Sequence, residues 1–229
     1  MTLFRPSYLK EGPGIEKDAK PKEGLALFFE ILGREFWQVL KLNLLFLACA
    51  LPLFTLGAAR CALSRCTMNM VRDKPNDVWA DFRQQFKQDF GRNLGFGLAE
   101  LFCIGVLLLV CGAPAVRQSP LLLGAVLMGA VFGGLFFGYL WPMASSMELP
   151  TRAMVKNALI LPLACLQHSL PALAVGAVLL GLSLWLFPLS LPLVLFIPFG
   201  LSSFVMSFAA WSDIKRLIVR KNNNGGNET

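Results

Sequence analysis

The chain has 229 residues, of which 55% are hydrophobic and 15% charged, and a mean hydropathy of +0.60. That is far more apolar than a water-soluble domain of this length, so a soluble fold is excluded and a polytopic, all-α membrane bundle is expected. The net charge of +7 does not point to nucleic acid: with Arg60 counted in the hairpin described below, every Lys and Arg except Arg117 falls near or between expected cytoplasmic helix ends, as the positive-inside bias requires.

Residues 1–23 are rich in Lys, Glu, Pro and Gly without periodicity and read as a flexible cytoplasmic tail. They hold neither the apolar core nor the small-residue site of a signal peptide, and no lipidation signal. A helix is expected from Gly24. Leu25, Phe28, Phe29, Leu32, Phe36 and Leu40 recur at helical spacing against Glu30, Arg34, Glu35 and Lys41, so its first turns lie at the interface before it enters the bilayer near Leu42.

Leu42 to Leu56 is apolar apart from Asn43 and Thr55, and Pro52 breaks it near the far end. After Gly57 comes Ala58 to Val71, whose small and polar residues hydropathy would assign to a loop. The charges argue otherwise. A basic tail precedes this region and a basic segment, Arg72 to Arg92, follows it, so a single crossing would leave one basic block outside. The stretch is therefore read as a helical hairpin broken by Pro52 and Gly57. Its second limb carries Arg60 and Arg65 and should be buried among other helices.

From Lys74 to Asn93, Val78, Trp79, Phe82, Phe86 and Phe90 form one apolar stripe on an expected cytoplasmic amphipathic helix. Two uses stay open: packing at the headgroups or under the bundle, and docking of a partner protein. Leu94 to Gly112 and Leu121 to Met147 are the third and fourth crossings, joined by an outer loop that carries only Arg117. The fourth holds Gly129/Gly133 and Gly134/Gly138, spaced for close helix approach within the bundle. A helix from Arg152 to His168 precedes the fifth crossing, Leu170 to Phe187. An uncharged turn at 188–192 leads to the sixth, Leu191 to Trp211, and Lys215, Arg216, Arg220 and Lys221 mark its inner end. The expected organisation is a single transmembrane domain of about six crossings over residues 24–221, a disordered tail over 222–229, and both termini in the cytoplasm at the cell membrane.

Ionisable groups inside the bilayer are the functional candidates. Glu100 lies about two turns into the third crossing, as a pathway carboxylate or as the structural partner of Arg65, with the structural pair favoured. His168 has no Cys, Asp or Glu at ligand spacing and reads as an interfacial polar residue. The six cysteines all lie in apolar segments without a C-x-x-C pair and read as small buried hydrophobes. No nucleophile elbow, phosphate-binding glycine loop or H-E-x-x-H motif is present, so no enzyme, cofactor or metal site is expected.

Asn43-Leu-Leu-Phe-Leu, Leu51-Pro52, Thr55-Leu56-Gly57-Ala58-Ala59, Val71-Arg72-Asp73 and the Asp81-Phe82…Phe86…Phe90 spacing together resemble the YesL-like family of bacterial integral membrane proteins, a domain of unknown function. The resemblance implies an accessory role in oligosaccharide uptake, with subunits of a carbohydrate importer of the ATP-binding-cassette class as partners beside the lipid bilayer. The chain lacks the E-A-A-x-x-x-G loop of the permease subunits themselves. The competing function is a small secondary transporter or channel with Glu100, Arg60 and Arg65 in its pathway.

Overall fold

The computed structural model describes residues 24–75, 77–186 and 196–225. All regular elements among them are helical. The tail 1–23, the turn at 188–192 and residues 226–229 lie outside the described residues.

Helix α1, Leu25–Ala50, runs unbroken through the interfacial and apolar halves expected from the sequence. It ends where Pro52 turns the backbone extended, since proline offers no N–H to continue the ladder. A single 3-10 turn, Leu53–Thr55, reverses the chain into α2, Leu56–Val71. The Thr55 hydroxyl, 2.7 Å from the Pro52 carbonyl and 2.5 Å from that of Cys49, ties the reversal to the end of α1.

Helix α2 is the centre of the molecule. All its residues except Leu56, Arg60 and Arg65 are buried, with α1, α3, α4, α6 and the last helix packed around it. Its low hydropathy comes from Ala, Ser, Thr and Gly, and the same small side chains let neighbouring backbones come close. At the crossing with α4, a Cβ on Gly57 would fall on the Asn93 carbonyl oxygen, and one on Gly97 would lie 2.5 Å from the Gly57 Cα.

Helix α3, Val78–Lys87, opens on Asp77, whose carboxylate accepts from the backbone N–H groups of Trp79 and Ala80, an N-cap arrangement. The helix is shorter than the stripe predicted. Gln88 turns extended, Asp89 takes a left-handed conformation (φ 52°), and Phe90 begins α4, Phe90–Gly112. The short α5, Pro114–Gln118, carries Arg117 and leads into α6, Pro120–Ser146. Helix α7, Thr151–Ala164, is followed by α8, Leu166–Trp185. The break falls at Cys165 rather than after His168, three residues beyond Pro162. Helix α9, Pro198–Gly225, continues four residues into the segment expected to be a disordered tail.

Among the described residues, three helices are long and apolar enough to cross a membrane: Phe90–Gly112, Pro120–Ser146 and Leu166–Ser183. Their outward faces expose Phe102, Leu109, Leu121 and Val178, a surface suited to hydrocarbon rather than water. The first half of α1 is charged, and α2 is short and only weakly hydrophobic, for the reasons already given. Within α6 the two glycine pairs divide. Gly134 and Gly138 face Leu173 and Met206, whereas Gly129 and Gly133 have open space where a Cβ would stand.

Candidate functional site

Arg60 and Glu100 meet where α2, α4 and α6 converge. The Arg60 Nη2 lies 2.8 Å from Glu100 Oε1, and the Trp141 indole N–H donates to Oε2 at 2.9 Å. Both carboxylate oxygens therefore have strong donors, and the Phe96 ring meets Trp141 edge-on behind them. The partner expected for Glu100 was Arg65, and the structure corrects this. Arg65 donates to the Ser145 carbonyl at 2.7 Å. The reason is helical geometry: five residues put Arg65 about 7.5 Å further along α2 and about 140° round from Arg60, out of reach of the same carboxylate.

A cleft of about 290 Å³ opens beside this junction between α4, α6, α8 and α9. Arg60, Glu100 and Ser202 form its polar floor, and Leu107, Phe137 and Leu180 stand among its apolar walls. Gly129 and Gly133 also line it, so the glycine pair that packs against nothing makes room here instead.

A second buried polar group was not anticipated. Asp213, fully buried on α9, accepts from the Tyr139 hydroxyl at 2.6 Å and lies 2.9 Å from His168 Nδ1. Ser169 completes the group, 2.8 Å from the Tyr139 oxygen. His168 is thus not alone: its partner comes 45 residues later in the chain. Asp213 stands next to Lys215 and Arg216, and in sequence it passes for one more charge at a helix end. Among the described residues no three His, Cys, Asp or Glu side chains come together as a metal-holding group.

The hairpin residues prove to be structural contacts. Asn43, fully buried, accepts from the Gly200 N–H at 2.8 Å, a first-turn amide of α9 that has no partner within its own helix. Pro52 sets the reversal and Gly57 the α2–α4 crossing, as described above. In α3, Phe82 is buried and Phe86 half-buried against the bundle, while Trp79 is 68% exposed. The packed face centres on Val78, Phe82 and Gln85. Trp79 lies about 100° round from Val78 and so falls off it. Phe90, placed on this helix by the sequence, belongs to α4, although its ring still meets that of Phe86.

These features define an all-helical protein with apolar outer faces and polar junctions enclosed between its helices, as in a membrane bundle. Residues 39–110, the end of α1 through most of α4, match a family described as "Protein of unknown function, DUF624". No curated protein and no solved structure matches the chain.

Proposed function

We propose that this protein is a non-catalytic, multi-pass membrane component that acts as an accessory to carbohydrate uptake. The observation that carries a non-transporting role is the state of its intramembrane charges. Both oxygens of Glu100 are bound within the bundle, and α2 fills the central position that a solute path would need. The link to carbohydrate uptake rests on the YesL-like resemblance of the Asn43–Phe90 region. The expected partners are subunits of an ATP-binding-cassette importer.

In this reading α1, α2, α4, α6, α8 and α9 make six crossings, with α3 on the cytoplasmic side and both termini cytoplasmic. The basic residues support it. The Arg34–Asp73 ion pair, the Arg72–Trp211 contact and the His168–Asp213 pair link α1, the end of α2, the start of α8 and the middle of α9 to one another, and Arg117 lies in α5, beyond the far end of α4. Reactivity of a cysteine placed at Lys17 to an impermeant thiol reagent from outside the cell would sink this topology.

The functional test is affinity capture of the full chain from native membranes. Carbohydrate-importer subunits should be recovered with it, and their absence under conditions that keep known importer assemblies intact would refute the accessory role. The second reading, a small transporter, is favoured by the cleft that reaches Glu100. Solute uptake by proteoliposomes of the purified chain alone, lost in Glu100→Gln, would decide for it.

A further inference from the structure

A group of four cations lies where α2 ends, α3 packs against it and α6 stops. Arg65, Arg72, Lys74 and Arg92 border a cavity of about 560 Å³ there. Only two acids, Asp89 and Glu148, share the wall. Asp89 pairs with Arg92 at 2.8 Å. The remaining contacts of the two inner arginines are to backbone: Arg65 donates to the Ser145 carbonyl, and Arg92 to that of Ala144 at 3.4 Å. Carbonyls at the C-terminal end of α6 hold a guanidinium in place and offset part of its charge through the helix dipole, about half an elementary charge in all. The cavity keeps a surplus of positive charge.

Two further observations indicate an anion rather than a patch of helix caps. The Nε–H of Arg92 is buried without an acceptor, although buried donors are almost always satisfied. The Arg72 guanidinium carbon sits over the Trp211 ring, 4.5 Å from its centroid; a cation–π contact of this kind uses the ring face and no hydrogen-bond acceptor, so it leaves guanidinium N–H groups for an anion.

We propose that this cavity binds a phosphate group, as a monoester or diester, with the guanidinium N–H groups of Arg72 and Arg92 and the Lys74 ammonium as its donors. Planar guanidinium forks match phosphate oxygens in pairs, and a lysine adds a point charge. Four cations facing two acids complement a phosphate of one or two negative charges. The source is either the headgroup of an anionic phospholipid in the facing leaflet or a soluble phosphorylated compound.

The test uses the purified full chain in a neutral detergent, with thermal unfolding followed as phosphatidylglycerol, phosphatidylcholine or inorganic pyrophosphate is added. Arg65 and Arg92 also hold the end of α6, so Arg72 and Lys74 are the cations to change. The expected result is a saturable rise in Tm with phosphatidylglycerol or pyrophosphate and none with phosphatidylcholine. In the Arg72→Gln, Lys74→Gln double variant the half-saturating concentration should rise roughly twenty-five-fold, since each basic group contributes about a factor of five to attraction of an anionic surface. A response to the lipid alone assigns the headgroup, and one to pyrophosphate assigns a soluble phosphate. If the double variant fails to fold, Gln88→Glu, an exposed change on the same wall, should weaken the response in the same direction. No response to either probe, or an equal response in wild type and variants, overturns the proposal.

Discussion

Replacing Glu100 by Leu strips the α2–α4–α6 junction of its only carboxylate and leaves two donors behind. The Glu100 side chain is 9% exposed and that of Arg60 29%. Removing one partner of a buried pair costs about 3–5 kcal/mol, and the partial access of Arg60 places its share at the low end, about 3 kcal/mol. The Trp141 N–H, left without an acceptor, adds about 1–3 kcal/mol. Glu100→Leu should therefore destabilise by roughly 4–6 kcal/mol. Glu100→Gln, which keeps an acceptor for Trp141, should be milder by about 1–2 kcal/mol. Arg60→Leu leaves Glu100 still bonded to Trp141 and should cost about 3 kcal/mol. In the Arg60→Leu, Glu100→Leu double variant no lone charge remains, so its loss should fall short of the sum by about 2 kcal/mol. The assay is reversible unfolding in mixed micelles, read by circular dichroism, with all four members of the cycle. A parallel cycle with Arg65→Leu is the control and should be additive, because Arg65 bonds the Ser145 carbonyl. Additivity within roughly 0.5 kcal/mol for the Arg60 cycle, or equal coupling in the Arg65 cycle, would refute this account.

Gly57→Ala should prevent α2 and α4 from closing, because the added methyl meets the Asn93 backbone rather than a side chain that can move; loss of the folded, monodisperse peak in size exclusion is expected, and wild-type stability would contradict it. On α3, Phe82→Ala should destabilise by about 3–5 kcal/mol as a core truncation, whereas Trp79→Ala should stay within about 0.5 kcal/mol as an exposed change. Equal losses at the two positions, measured by the same unfolding assay, would show that Trp79 is covered in the folded protein.

The helical hairpin was legible because charge and hydropathy act through one-dimensional rules. Basic blocks on both sides of Leu42 to Val71 required a return of the chain, and Pro52 marked where it turns. The burial of α2 followed as well, since two arginines on a short, weakly apolar helix leave no other stable placement. Partner choice was not legible in the same way. Arg60 and Arg65 differ by one and a half turns, so sequence spacing offers both to Glu100 and only the rotation of α2 against α4 selects between them. Asp213 was missed because its partners, Tyr139, His168 and Ser169, come from α6 and α8, far away in the chain.

The sequence by itself determined the helical character of nearly every described segment and the apolar character of the helices long enough to cross a membrane. Composition, period and the cost of placing charge in hydrocarbon all act locally, and each can be read from neighbouring residues. Only the tertiary structure decided which polar groups meet: Arg60 with Glu100 and Trp141, Asn43 with the Gly200 amide, and Asp213 with Tyr139 and His168. Those pairings depend on the crossing angle and register of helices brought together by packing, to within about 1 Å, and the linear pattern does not encode that relation.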